Sequence, residues 1–155
     1  MTRKSDALAK AVSALLPKFR PSGSFLYCRD PILMMRGFAF DMPPGGCYVW
    51  KYYVPLFQDV EFLHMSLGYR VDGGYIETRW KSSSQLAAEA CALVSDNDDF
   101  AEEETLEELF QFAKDKRVAA TERASLLRGL RIFETEPLES IMDRASAIRA
   151  KLGVA

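Results

Sequence analysis

The chain contains a single histidine, His64, among its 155 residues. Zinc sites that need two imidazoles are therefore excluded, and a triad or general-base dyad built on histidine would have to use this residue. On a predicted strand, His64 shares the more polar face with Ser66 and Arg70. This placement favours a hydrogen-bonded structural histidine over a catalytic one.

Cysteines are few and far apart: Cys28, Cys47 and Cys91 are an odd number with no close pair. Neither a disulfide framework nor a four-thiolate zinc site is indicated, so we expect reduced thiols, no metal and no cofactor. The first twenty residues lack the apolar stretch of a signal peptide, and no apolar run approaches the ~18 residues that span a bilayer. These absences predict a cytoplasmic protein with no membrane partner.

Motifs for nucleotide or hydrolytic chemistry are also absent. Gly45–Gly46 and Gly73–Gly74 begin neither a dinucleotide fingerprint nor a phosphate loop, and the chain has no nucleophile elbow and no Cys-x-x-Cys. Lys and Arg number 20 against 22 Asp and Glu, so the basic excess of a dedicated nucleic-acid binder is missing. We therefore expect no nucleic-acid partner, and enzyme hypotheses are weakened without being excluded.

The composition is that of an ordinary globular protein, with 48% hydrophobic and 27% charged residues. A chain of this length buries roughly 70% of the surface that its unfolded form exposes, which is enough for one core. We predict a single α+β domain over residues 1–155, with a helix and sheet in about 1–81 and a helical part in about 82–155.

Hydrophobic periodicity divides the chain into these two parts. Apolar residues at helical spacing predict an N-terminal helix over 5–16, and Pro17 ends it. Short aromatic and β-branched runs then predict an antiparallel sheet of four to five strands, in which Asp72-Gly73 forms a two-residue hairpin. The predicted strands are residues 24–29, 32–41, 47–56, 61–71 and 74–81.

The remainder reads as about four helices. Ser82, Ser83 and Ser84 offer N-caps for the first of them, and residues 96–99 end it. Three further apolar stripes follow. They are carried by Leu106, Leu109, Phe110 and Ala113, by Ala124, Leu127, Leu130 and Ile132, and by Leu138, Ile141, Ala145 and Ile148.

One predicted strand carries an aromatic face formed by Tyr48, Trp50 and Tyr52. Such a face is usually core, packed beneath helices. A protein interface and a base-stacking platform are less frequent alternatives, and the sequence leaves the choice between core and interface open.

A run of acidic residues without any Lys or Arg lies between Asp96 and Glu108. Carboxylates near a helix N-terminus stabilise the helix dipole, but their density here exceeds what capping requires. A concentrated negative patch can steer a basic partner, so we predict that these residues bind another protein. The predicted partner-binding residues are Asp98, Asp99, Glu103, Glu104, Glu107 and Glu108.

The leading hypothesis is therefore a non-enzymatic protein-binding module that holds its partner through the acidic helix and the adjacent sheet surface. Fold-level analogy places immunity proteins, antitoxins and export chaperones in this class. A homodimer is left open.

The alternative hypothesis is a small-ligand-binding protein or a hydrolytic enzyme with a basic pocket over the sheet. Its residues would be Arg36, Lys51, His64, Arg70 and Glu77. Arg36 occupies an apolar-face position, so it should reach an edge or pair with an acid such as Asp30 or Glu77.

Overall fold

The structure is a computed structural model that describes residues 3–58, 67–100, 108, 111 and 114–154, without the side chain of Ser125. It confirms the α+β class: an N-terminal helix, a five-stranded antiparallel sheet and then a group of helices. The elements are α1 (Lys4–Leu15), β1 (Phe19–Ser22), β2 (Phe25–Cys28), β3 (Met34–Asp41), β4 (Gly46–Pro55), β5 (Gly68–Glu77), α2 (Ser83–Asp96), α3 (Ala120–Leu130), α4 (Ile132–Thr135) and α5 (Leu138–Leu152).

The sheet has the strand order β1-β2-β3-β4-β5, so each strand lies beside its neighbour in sequence. A two-residue turn joins β1 to β2, with Ser22 opposite Phe25 and Gly23 at φ 57°. The sequence patterns predict no strand before residue 24, so they miss β1, which contains Pro21. Pro21 is tolerated there because β1 lies at the edge of the sheet, where one side of the backbone needs no ladder hydrogen bonds.

Strand β3 lies in the middle of the sheet and is buried from Met34 through Phe40, as its apolar pattern on both faces predicts. Gly37 is opposite Tyr27 on β2, and a Cβ atom at Gly37 would overlap the carbonyl oxygen of Leu26. The close approach of β2 and β3 therefore depends on a residue without a side chain at this position.

The predicted hairpin at Asp72-Gly73 is wrong, because β5 runs through both residues as one strand. Gly73 does have a positive φ of 68°. Asp72 and Gly73 are both exposed, so the alternation of buried and exposed residues along β5 shifts by one residue at this point. This is the geometry of a β-bulge. Downstream of it Ile76 points inward and Tyr75 points outward.

Two predicted elements fall on residues outside the described part of the chain, one of them in part and the other completely. Of the predicted strand 61–71, residues 61–66 are not described, and 68–71 belong to β5. The apolar stripe that begins at Leu106 lies outside the described residues altogether. No helix among the described residues is long and apolar enough to cross a membrane.

Contacts divide the chain into two compact units. The first comprises the described residues within Met1–Arg29, Gly37–Tyr52 and Arg70–Asp99, and it includes α1 and α2. These helices pack on each other, and α1 also packs on β1. One of the three serines predicted as N-caps, Ser82, begins α2. The structure adds a capping box: the Ser82 hydroxyl accepts from the Gln85 N–H, and the Gln85 side chain accepts from the Ser82 N–H.

The second unit comprises the described residues within Asp30–Arg36, Tyr53–Tyr69 and Phe100–Ala155. It contains α3, α4 and α5. The Phe57 and Phe133 rings pack edge to face, with their centroids 4.8 Å apart. The Arg144 guanidinium donates hydrogen bonds to the Phe57 carbonyl and to the Glu136 carboxylate. Gly153 ends α5 in the left-handed conformation, as its position in the sequence predicts.

Candidate functional site

The acidic residues that the structure describes make contacts within their own units. In the first unit, Asp98 accepts from the Lys18 ammonium group at 2.8 Å, and Asp99 pairs with Lys51. The Lys51 ammonium group also donates to the carbonyl of Asn97, just beyond α2. Asp98 and Asp99 thus hold cations of this chain at the end of α2.

Glu108 makes equivalent contacts in the second unit. Its carboxylate accepts from the Tyr53 hydroxyl at 2.9 Å and lies 3.5 Å from Nε of Arg36. Arg36 is only 5% exposed, and the carboxylate facing it is that of Glu108 rather than Asp30 or Glu77, the partners suggested by the sequence. The other predicted acidic residues, Glu103, Glu104 and Glu107, lie outside the described residues, so their role in partner binding stays a prediction.

The five residues of the alternative pocket have different surroundings where they are described. Lys51 is buried on the face of β4 that it shares with Cys47 and Val49, whereas Arg70 lies over rings on the opposite face. Glu77 is exposed on β5, and Arg36 belongs to the second unit with Glu108. His64 lies outside the described residues. The structure therefore does not bring Lys51 and Arg70 together.

Burial acts on three further titratable groups. It raises the pKa of the Cys47 thiol to about 12, with a smaller contribution from the charge of Asp41. Burial is also the main reason that the pKa values of Tyr52 and Tyr53 lie well above their ordinary range, and at Tyr53 the charge and hydrogen bond of Glu108 add to it. All three groups are held neutral at physiological pH, so none of them is an activated nucleophile.

Aromatic and arginine side chains meet on the face of β4 and β5 that carries Arg70. The Arg70 guanidinium carbon lies 3.9 Å from the centroid of the Tyr48 ring and 5.3 Å from that of Trp50. The Tyr75 ring packs on Tyr48 with centroids 5.0 Å apart. We call these four residues, Tyr48, Trp50, Arg70 and Tyr75, the arginine–aromatic surface.

This surface remains open to solvent. Tyr48 and Trp50 are half-buried and Arg70 is exposed, whereas Tyr52, farther along the same face of β4, is completely buried and donates to the Leu26 carbonyl. Tyr75 is 53% exposed. The predicted aromatic face is therefore core at Tyr52 and surface at Tyr48 and Trp50.

Two glycines determine where the Tyr75 ring lies. A Cβ atom at Gly46 would overlap this ring, and the Tyr75 hydroxyl contacts the Gly45 carbonyl at 3.4 Å. The bulge at Gly73 turns Tyr75 to the outer face in the first place. Sequence reasoning missed the outward orientation of Tyr75, because it depends on this change of register within β5. It missed the stacking of Arg70 because that contact depends on the pairing of β5 with β4.

The side chains of the described residues offer no group of three or more His, Cys, Asp or Glu that could hold a metal ion. No protein-family model matches the chain, and neither curated proteins nor solved structures give a match. Arguments about function therefore rest on the surfaces described above.

Proposed function

We propose that the protein is a non-enzymatic binding module that holds another protein against the arginine–aromatic surface. The observation that carries this proposal is the open stack of Arg70 on Tyr48 and Trp50, extended by Tyr75. Tyrosine, tryptophan and arginine are the residues most enriched where alanine substitution weakens protein–protein binding. Here the Tyr48 and Trp50 rings form the support of the stack, with the Trp50 indole nitrogen buried. Arg70 and Tyr75 offer exposed contact area together with a polar group.

The shape of this region favours a macromolecular partner. The recess beside Tyr48, Arg70 and Tyr75 has a volume of about 240 Å³ and is broadly open. A small ligand is usually enclosed over most of its surface, whereas a protein can cover an open sheet face. A module of immunity-protein, antitoxin or chaperone type would bind its partner through such a face.

The stacked guanidinium also indicates the chemistry of the partner. A guanidinium that lies over a ring keeps its N–H groups in the plane of the stack, where they can bind a carboxylate. The exposed Tyr75 ring offers an apolar contact beside it. We therefore expect a partner segment in which an Asp or Glu lies next to an apolar side chain.

The first prediction concerns the double variant Arg70→Ala/Tyr75→Ala. Both side chains are exposed, so the melting temperature should stay close to that of the wild type. Loss of two hot-spot residues should weaken partner binding by about 2 kcal/mol or more, which is roughly thirtyfold. The measurement is quantitative recovery of cross-linked proteins from the native host with tagged wild-type and variant chains, followed by titration of the purified partner.

A matched control is Leu15→Ala, which removes an exposed apolar residue of α1 elsewhere in the same unit. It should retain the same partner as the wild type. The proposal fails if no protein is recovered with the wild type in excess of the double variant, or if the double variant binds the purified partner within threefold of the wild type.

A further inference from the structure

The tryptophan that follows β5 has an unusual environment. Trp80 is the third residue of a turn closed by the Lys81 N–H and the Thr78 carbonyl, and its φ is 65°. Its side chain is 98% exposed. The indole therefore has almost no contact with the rest of its own chain.

Neither property of Trp80 helps the chain to fold. A third turn residue with positive φ is most easily glycine or asparagine, and a bulky residue is strained there. An indole in water also contributes no burial energy. An exposed side chain by itself needs no explanation, so it is the positive φ of Trp80, a backbone outlier of the kind that persists at binding positions, that indicates a role.

The residue that follows Trp80, Lys81, lines a largely apolar groove. The groove lies between α1 and α2, has a volume of about 280 Å³ and is floored by Leu8, Ala11, Met42 and Leu86. A cavity of about 150 Å³ is enough to bind benzene, and this groove has nearly twice that volume. The groove is therefore large enough for the side chain that Trp80 exposes.

We propose that two copies of this chain pair by inserting each Trp80 into the groove of the other copy. Lys81 and Ser82 line the groove directly after Trp80, so the anchor and its receptor lie side by side. Such a self-complementary patch is satisfied by a twofold axis, which makes both insertions at once. This pairing is independent of the arginine–aromatic surface, since it uses none of its residues.

The charges at the groove are compatible with an indole. Lys81 is paired with Glu89 on α2, which neutralises that side of the rim. Lys4 lies at the rim on α1, where its ammonium group can approach the face of an inserted ring. A cation over an indole face is favourable, most strongly when the pair is shielded from water.

The area involved predicts a weak dimer. Each tryptophan can bury roughly 200 Å² and the facing groove somewhat less, so both insertions bury about 700 Å². Stable interfaces bury about 1,200 Å² or more. We therefore expect rapid and reversible dimerisation with a dissociation constant in the micromolar range or weaker.

The second prediction is that Trp80→Gly strongly weakens this dimer without lowering the stability of the fold. In analytical ultracentrifugation over a wide concentration range, the wild type should form a dimer, and the variant should weaken it at least about thirtyfold, as expected for a hot-spot residue. Its melting temperature should not fall, because glycine suits the turn and the indole makes no internal contact. A wild type that is monomeric at all accessible concentrations, or a variant that dimerises like it, would overturn the proposal.

A second variant tests the groove itself. Ala7→Gln places a larger polar side chain at the exposed edge of the groove and retains good helix propensity. It should also weaken self-association, but an equimolar mixture of Ala7→Gln and Trp80→Gly should form a heterodimer with one intact insertion. If the two indoles instead stack on each other, Ala7→Gln will dimerise normally and the mixture will show no gain, which would also contradict the proposal.

Discussion

Replacing Glu108 with alanine is expected to destabilise the protein by about 3–5 kcal/mol, a large part of the total stability of a typical domain. The substitution removes the carboxylate that faces the Arg36 guanidinium, whose side chain is almost completely buried on β3. It also removes the acceptor of the Tyr53 hydroxyl. Removing a counter-charge from a buried cation is costly because the cation has already lost its hydration shell.

Two variants separate charge from shape. Glu108→Gln keeps an oxygen acceptor for Tyr53 but removes the charge, so most of the loss should persist. The double variant Arg36→Met/Glu108→Leu removes both charges and should recover much of the stability, because apolar replacement of a buried ion pair is often close to neutral. Urea unfolding measures the free energy of unfolding of Glu108→Ala, Glu108→Gln and the double variant, and an unchanged m-value shows that only stability has changed. A loss below about 1 kcal/mol in Glu108→Ala would show that this contact is as weak as a surface pair.

Local patterns in the sequence were sufficient to predict most of the architecture. The periodicity around Leu8 and Val12 correctly indicated α1, and the run of serines that begins at Ser82 correctly indicated the start of α2. Each of these signals depends on residues within one or two turns of the chain. The predicted single domain stays a prediction.

Prediction from the local sequence was wrong where one short pattern is compatible with two backbone structures. Asp72-Gly73 is the pattern of a primed hairpin turn, but the positive φ that glycine supplies suits a bulge equally well. Which of the two forms depends on how β5 pairs with β4, and a window of a few residues does not contain that information. The same uncertainty affected the outward orientation of Tyr75.

The site depended still more on distant pairing. Glu108 lies 72 residues from Arg36, and no spacing rule connects them. The exposure of Trp80 could not be anticipated either, because its hydrophobicity favours burial and nothing in its neighbours indicates a left-handed turn. Residues that contradict their own local preference are the ones expected at functional positions.

Stability should be lost steeply as the pH rises above about 9. Burial raises the pKa of Cys47 from 9.0 to about 12, and it holds those of Tyr52 and Tyr53 well above the ordinary tyrosine value of 10.0. In the unfolded chain these groups ionise at their ordinary values, so the unfolded state binds fewer protons in this range and gains stability relative to the folded state. The contribution of each group is complete below its unfolded pKa and is lost as the pH rises towards its folded pKa.

Each buried group can lower the free energy of unfolding by up to about 1.4 kcal/mol per pH unit above its unfolded pKa. The slopes of the three groups add, so the free energy of unfolding should fall more steeply once all of them ionise in the unfolded chain. Under reducing conditions, denaturant unfolding at a series of pH values gives the slope of the free energy of unfolding. Tyr53→Phe should start lower by about 1 kcal/mol, because it lacks the hydrogen bond to Glu108, but its slope above pH 10 should be shallower by one proton. Tyr75→Phe is the matched control, because it removes the same hydroxyl group from a half-exposed side chain on the neighbouring strand. Parallel slopes for wild type and Tyr53→Phe would mean that the Tyr53 hydroxyl ionises as readily in the folded chain as in the unfolded one, and would contradict the prediction.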